Sequence, residues 1–187
     1  MSYYIPTGNC GGGSQADYSC GACIETEHGR IRSVAIVKTS YVATLMAANT
    51  ALDSVWTTAL STGNLFALYA TQGSYDGGTT AELVGFGNQA TMNGNTTHTA
   101  QFKDPFYADN CDFWNDLRGS SEYTFCYVTE NYVHFGEETA TWTPKNPVAD
   151  DINSNVVWDV QAKWVNPNSP CAYAKPTSFF DSCAIHS

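Results

Sequence analysis

Cysteine is the residue type in this chain with the greatest capacity for chemistry, and five of the seven cysteines lie near the two ends. The ends of a folded domain are often close together, so these five side chains can meet. Thiolates in such a cluster bind Zn²⁺ tetrahedrally, and oxidised pairs form disulfides. The five residues are Cys10, Cys20, Cys23, Cys171 and Cys183.

Disulfides are the favoured interpretation of these five terminal cysteines. Their odd number leaves one thiol for a bond between chains. The alternative is a zinc site, which the pair Cys20-x-x-Cys23 would form with Cys10 and the C-terminal Cys183. A redox-active role of the same pair is disfavoured, because it lies in a glycine-rich stretch and not in a strand–helix unit.

The other residues with reactive side chains give no catalytic pattern. Cys111 and Cys126 fall within a predicted helix and a predicted hairpin, so we expect small buried side chains there. The four histidines have no partner at the spacing of metal ligands, and no Gly-x-Ser-x-Gly elbow, P-loop or zinc-protease motif occurs. We therefore expect no catalytic residues and no cofactor, and a protein that is not an enzyme.

Composition predicts one compact domain with a real core, since the chain has 187 residues of which 43% are hydrophobic. The net charge of −10, from 18 acidic and 8 basic residues, argues against specific nucleic-acid binding, which needs a basic surface. The sequence contains no run of about 18 apolar residues, so no membrane span is predicted. The N-terminus lacks the basic and apolar segments of a signal peptide, which predicts synthesis in the cytosol and exit by another route.

The elements that must position the reactive residues are mainly β-strands. In residues 123–136, two runs of aromatic and β-branched residues flank a three-residue polar turn, which predicts a hairpin. Residues 156–165 alternate between an apolar and a polar face, which predicts a strand. A short helix is predicted at residues 109–119. Asp109 or Asn110 can cap its start, apolar residues form a stripe along one face, and a glycine follows its end.

The rest of the chain adds a helical region and more strands. A helix is predicted at residues 41–60, with Asp53 as an N-cap, and a turn is predicted at residues 93–95. Further strands are predicted at residues 30–39 (with the apolar run 34–37), 65–71, 82–86, 96–102 and 139–143. Their spacing predicts a mainly β, single-domain sandwich or barrel with one or two short helices.

Composition also divides the chain into three parts. Residues 1–29 form a Gly- and Cys-rich arm, residues 30–165 a β-rich core domain, and residues 166–187 a second arm with prolines and cysteines. The arms have too few periodic apolar residues to bury themselves on their own chain. We therefore predict irregular arms that contribute contacts between copies of a homo-oligomer.

Several stretches carry a resemblance to a known family. Residues 29–38 (GRIRSVAIVK), 84–87 (VGFG), 97–102 (THTAQF) and 110–117 (NCDFWNDL) precede the tyrosine-rich hairpin. In this order they resemble virion structural proteins of phages that infect gut and aquatic Bacteroidetes. The layout of residues 29–165 is similar to that of phage tail-tube proteins, in which strands, a short helix and a long hairpin form a β-barrel.

This resemblance implies a structural protein of a virus particle that assembles in the host cytoplasm and has no catalytic residues. Tail-tube subunits form stacked hexameric rings around an acidic lumen, with which the net charge of −10 is compatible. The implied partners are other copies of the chain and other virion proteins. The cysteine-rich arms depart from the usual tube pattern, so a tube, a capsid decoration, a connector and a fibre all stay open.

The alternative function is that of a secreted β-sandwich binding module. In that interpretation the protein is extracellular and lectin-like, and exposed Tyr and Trp side chains bind sugars. The missing signal peptide favours the virion interpretation over this one.

Overall fold

The computed structural model describes residues 29–68, 72–85, 92–148, 150 and 153–181. Within these ranges the chain forms ten strands, three α-helices and one 3-10 helix. The strands are β1 (Ser33–Lys38), β2 (Leu65–Leu68), β3 (Gln72–Tyr75), β4 (Thr79–Leu83), β5 (Met92–Asp104), β6 (Tyr123–Val128), β7 (Tyr132–Phe135), β8 (Thr141–Lys145), β9 (Trp158–Val165) and β10 (Ala172–Ala174). The helices are α1 (Thr39–Ala47), α2 (Asp53–Ser61), α3 (Cys111–Arg118) and the 3-10 helix Phe179–Asp181.

The strands pair antiparallel in two sheets. The first sheet has the order β10-β7-β6-β1-β2, and the second has the order β3-β5-β9-β8. Strand β5 is long enough to pair with two short strands in succession: β4 pairs with its first half and β3 with its second half. Together β3 and β4 form one edge of the second sheet, which is interrupted at residues 76–78. The predicted mainly β fold is confirmed. The sheets form a sandwich and do not close into a barrel, and three short α-helices are present where one or two were predicted.

The main core fills the space between the two sheets. Four of the five tryptophans of the chain lie in it, and each is at most 2% exposed. Rings from opposite sheets are in contact, as in the stacked pair Phe102 and Phe125, whose centroids are 5.6 Å apart. Because each large aromatic side chain buries 150–250 Å² of surface, these rings dominate the stabilisation. The tryptophans are Trp114, Trp142, Trp158 and Trp164.

A second core lies on the other face of the first sheet, under α1, α2 and the 3-10 helix. Trp56 of α2 is at its centre and is fully buried. Its ring contacts Phe135 of β7 at 6.0 Å and Phe179 and Phe180 at 5.8 and 5.0 Å. The molecule therefore has three layers: a sheet, a second sheet and a layer of helices.

The outer face of the second sheet is covered by none of the described elements. Its residues alternate with the core residues along β5, β8 and β9 and are mostly Thr, Gln and Lys, together with Asp159 and Val165. The register places Thr99, Lys163 and Thr141 in one row across the three strands, and Lys103, Asp159 and Lys145 in another. This arrangement is usual for an antiparallel sheet with one solvated face.

The predictions from local periodicity are confirmed. In β9, Trp158, Val160, Ala162 and Trp164 are buried, and the residues between them are half-buried or exposed. Val156, predicted on the apolar face, precedes the strand and is half-buried. The hairpin at residues 123–136 is formed by β6 and β7, and α3 lies within the predicted helix at residues 109–119.

The helical region at residues 41–60 differs from the prediction. It consists of two helices, α1 and α2, separated by residues 48–52. Asp53 is the first residue of α2 and makes no capping hydrogen bond to it. Its carboxylate accepts hydrogen bonds from the backbone N–H of Ser178 and Phe179 (3.0 and 3.1 Å) and from the Ser178 hydroxyl (2.7 Å). Asp53 therefore holds the start of the 3-10 helix.

The turn predicted at residues 93–95 is wrong, because these residues lie inside the 13-residue strand β5. The strand predicted at residues 82–86 begins earlier, as β4. A Cβ at Gly94 would lie 3.0 Å from the Ala81 carbonyl oxygen, at the register shift between Thr80 and Glu82. Glycine at this position permits the close approach of the two strands at a bulge. A glycine that a bulge requires and a glycine that a turn requires look the same in the sequence.

Part of the segment predicted as an irregular C-terminal arm belongs to the folded core. Residues 172–174 form β10 at one edge of the first sheet. Phe179 and Phe180 are 7% and 2% exposed against Trp56. Two aromatic residues in a short segment provide enough apolar surface to anchor it, although the segment has no regular periodicity.

Strand β9 allows a direct test of the two-sided packing. Trp158→Ala should reduce the free energy of unfolding by about 3–5 kcal/mol, because it empties a site in the main core. Gln161→Ala, three positions along on the solvated face, should change it by less than about 0.5 kcal/mol. Chemical denaturation followed by fluorescence measures both. Equal losses at the two positions would contradict the assignment of the faces.

Candidate functional site

An aromatic pocket lies where β2, α3 and the start of β6 meet. Its volume is 390 Å³, within the range of about 300–1,000 Å³ that is common for small-ligand sites. The ring of Phe66 contacts Phe113 edge-on at 5.3 Å and Tyr123 at 5.8 Å. The lining residues are Phe66, Phe113, Asp116, Leu117, Ser120, Glu122 and Tyr123.

Phe66 is open to solvent because it lies on an edge strand. Its cross-strand partner on β1 is Ile36, which is fully buried in the main core. Phe66 points to the same side of the sheet but is 36% exposed. A large aromatic ring that stays accessible next to a core residue provides a flat apolar surface for a ligand.

The rim of the aromatic pocket is acidic. Asp116 of α3 and Glu122, just before β6, both line the pocket and are exposed, and the Ser120 side chain lies between them in the chain. No basic residue lines the pocket. Lys38 is the cross-strand partner of Tyr123 but is not part of the lining. Aromatic faces next to carboxylates suit two kinds of ligand: an organic cation, or a sugar that stacks on a ring and donates hydroxyl hydrogens.

The position of α3, and so of the pocket, depends on Asp104 at the end of β5. Its side chain is 1% exposed. One oxygen accepts a hydrogen bond from the backbone N–H of Phe106 at 3.0 Å. The other accepts hydrogen bonds from the Asn110 amide at 2.7 Å and from the Trp114 indole at 2.8 Å. Asn110 occupies the N-cap position of α3, as predicted, but its side chain makes no capping hydrogen bond and instead holds the helix on the sheet.

A second group of polar side chains lies within the core around His98 of β5, which is fully buried. The Nε2–H group donates to the Asn166 carbonyl oxygen at 3.0 Å, since a carbonyl only accepts. Nδ1 and the Tyr75 hydroxyl form a hydrogen bond at 2.7 Å. Both ring nitrogens are occupied and the ring stacks on Trp164 at 5.3 Å, so this group is a structural one.

The carboxylate of Asp76 holds the interruption between β3 and β4. Its Oδ1 atom accepts hydrogen bonds from the backbone N–H of Gly78 at 2.9 Å and of Thr99 at 3.0 Å. Burial acts to raise the pKa of Asp76, but these hydrogen bonds outweigh burial and lower it. Burial, and then the charge of Asp76, raises the pKa of the Tyr75 phenol. These groups order the edge of the second sheet and leave no open site.

Of the two cysteines predicted to be buried, Cys111 and Cys126, only one is buried. Cys126 of β6 is buried, as predicted, and burial raises the pKa of its thiol well above the usual value. Cys111 is exposed, which contradicts the prediction of a buried side chain. It is the first residue of α3 and lies about 90° around the helix from the midpoint of the buried pair Trp114 and Leu117.

The predicted disulfide or zinc cluster stays a prediction. Cys171 is described and exposed. The other four members lie outside the described residues: Cys10, Cys20, Cys23 and Cys183. Within the described part of the chain, no three His, Cys, Asp or Glu side chains are grouped so as to hold a metal ion.

Comparison with protein-family models, with curated proteins and with solved structures found no match to this chain. None of the helices in the described ranges combines the length and the apolar character that crossing a bilayer requires. The functional argument therefore depends on the geometry of this molecule.

The aromatic pocket was not identified from the sequence. Phe113 belongs to the apolar stripe of the predicted helix, Tyr123 to the predicted hairpin and Phe66 to the strand predicted at residues 65–71. The pocket joins residues from three separate segments, and no local spacing relates them. The only local signal is the pair of acidic residues, Asp116 and Glu122, on either side of the end of α3.

Asp104 provides a test of how α3 is held. Asp104→Ala should reduce the free energy of unfolding by about 2–4 kcal/mol, because it leaves three buried or half-buried donors without their acceptor. Asp109→Ala, an exposed residue of the same loop, is the matched control and should be nearly neutral. Urea denaturation measures both. A loss at Asp104 no larger than that at Asp109 would show that α3 is held by apolar packing alone.

Proposed function

We propose that the protein is a non-enzymatic structural protein of a virus particle that assembles with copies of itself into a tail tube or a related virion component. The observation that supports self-assembly most directly is the open edge at β4. All five residues of this strand are exposed. On one side β4 pairs with β5, and no described strand pairs with its other side.

The end of β4 is apolar as well as open. Leu83 is 57% exposed and Val84, the next residue, is 88% exposed. An open strand edge presents unpaired N–H and C=O groups to any neighbouring chain, and monomeric proteins usually protect such edges with charges, prolines or covering elements. The edge of β4 carries one charge, Glu82, and a register shift between Thr80 and Glu82. Exposed apolar side chains beside an open edge are typical of a surface that another chain covers.

The role in a virus particle is supported by the sequence resemblance over residues 29–165. The fold has the strands, a short helix and a hairpin that this resemblance implies, but its two sheets do not close into the barrel of a tail tube. In this proposal the subunits assemble in the host cytoplasm and other virion proteins are further partners. The net charge of −10 fits a tube through which DNA passes without binding. Hexameric rings are the expected form of a tube.

The exposed end of β4 gives a test of self-assembly. The wild-type protein should form oligomers in light scattering, and rings, tubes or sheets in negative-stain microscopy. Val84→Glu should weaken assembly at least about tenfold, because it places a charge on an apolar contact. Val148→Glu is the matched control, since Val148 is 72% exposed and lies far from β4 in the sequence. A wild-type protein that is monomeric at all accessible concentrations would refute the proposal.

A second candidate function is that of a secreted, lectin-like binding module, and the aromatic pocket is the feature that favours it. Phe66 offers a ring for stacking against a sugar, and the carboxylates of Asp116 and Glu122 accept hydrogen bonds from hydroxyl groups. In this alternative the protein acts outside the cell as a carbohydrate binder.

Sugar binding is tested with a glycan array and with calorimetry on any sugar that the array identifies. Phe66→Ala should reduce affinity about three- to tenfold through the loss of ring contact. Phe106→Ala should have no effect, because Phe106 is 45% exposed but does not line the pocket. The absence of any bound sugar on the array would count against the lectin-like function.

A further inference from the structure

The open face of the second sheet carries three of the eight basic residues of the chain. Lys103 lies on β5, Lys145 on β8 and Lys163 on β9, and all three are exposed. Directly opposed residues of antiparallel strands share a face, and the register opposes Lys103 and Lys145 to Asp159, and Lys163 to Thr99. A chain with net charge −10 therefore has a local basic surface on this sheet.

Lys163 is the least compensated of the three lysines. Lys103 and Lys145 each lie directly opposite Asp159, with Cβ atoms about 5 Å away, as is usual for cross-strand pairs. Lys163 lies between the hydroxyl side chains of Thr99 and Thr141. Asp159 is four residues along the same strand, about 13 Å away. The carboxylate of Asp76 lies beyond Thr99, whose backbone N–H donates to it. The residues directly opposite Lys163 are uncharged, so its ammonium group gains from an acidic partner on another molecule.

The aromatic pocket has the complementary chemistry. The rings of Phe66 and Tyr123 attract a cation by their negative faces, and an alkyl chain packs against them. Asp116 and Glu122 supply two carboxylates as acceptors for the N–H groups of an ammonium ion. A lysine side chain has both parts: an apolar stem for the rings and a charged end for the rim.

We propose that Lys163 of one copy inserts into the aromatic pocket of the next copy. This inference rests on the proposed self-assembly and names one of its contacts. The pocket is formed by β2, α3 and the start of β6, whereas Lys163 lies on β9 among β5 and β8, so the two surfaces share no residue. A contact of this kind that forms in one direction between two copies is heterologous, and its repetition generates rings or open filaments.

The test is a cycle of charge-reversal variants. For each variant the measured quantity is the protein concentration at which assembly begins. Lys163→Glu should raise this concentration about tenfold, because it removes the inserted cation and adds repulsion. Asp116→Lys with Glu122→Lys in the same chain should do the same. The chain with all three substitutions should assemble better than either parent variant, because side chains in contact give non-additive effects.

Arg30→Glu and Asp109→Lys are the matched controls for charge, since both residues are exposed and neither belongs to the two surfaces. Both should leave the assembly concentration unchanged.

If wild type assembles but the effects of the reversals simply multiply, or are absent, the contact is refuted and self-assembly stands. Loss of sugar binding in the pocket variant with unchanged assembly would also refute the contact. A wild-type chain that stays monomeric refutes the contact and the proposed function together.

Discussion

The rest of the molecule depends on the burial of β1 on both of its faces. Val34 and Ile36 pack into the core between the sheets, and Ala35 and Val37 pack into the core under the helices. A strand with two buried faces must have apolar residues at consecutive positions, and the continuous run in β1 meets that requirement. The first sheet therefore lies inside the molecule, and the second sheet presents a broad solvated face. Among the described residues, open surfaces include the outer face and the edge of the second sheet and the aromatic pocket.

These open surfaces differ in chemistry, and this difference connects the proposed function with the further inference. The edge at β4 offers backbone hydrogen bonds and apolar side chains, the sheet face offers lysines, and the pocket offers aromatic rings with carboxylates. A subunit with several complementary and non-identical surfaces is suited to repetitive assembly. The buried carboxylate of Asp104 matters here because it fixes the helix that forms one wall of the pocket.

The sequence predicted those parts of the fold that local periodicity determines. The alternation in β9, the hairpin of β6 and β7 and the apolar stripe of α3 each depend on residues within about ten positions, so a pattern is sufficient. Three features were missed because they depend on distant residues. Asp53 was assigned as a helix cap, but its partner Ser178 is 125 residues away. The glycine at 94 meets a bulge on another strand. The aromatic pocket combines segments around residues 66, 113 and 123, and its openness depends on which strand forms the sheet edge.

The bond between Asp53 and the C-terminal segment has a consequence for acid conditions. Hydrogen bonds from the backbone and the hydroxyl of Ser178 lower the pKa of Asp53 in the folded state. A carboxyl group with a lowered pKa stabilises the fold at pH values above its unfolded-state pKa, and this stabilisation is lost as the pH falls through the folded-state value. Release of the segment would therefore be accompanied by proton uptake at Asp53. It would also uncover Trp56, against which Phe179 and Phe180 pack. Acidification therefore weakens the attachment of residues 178–181 to the helical layer.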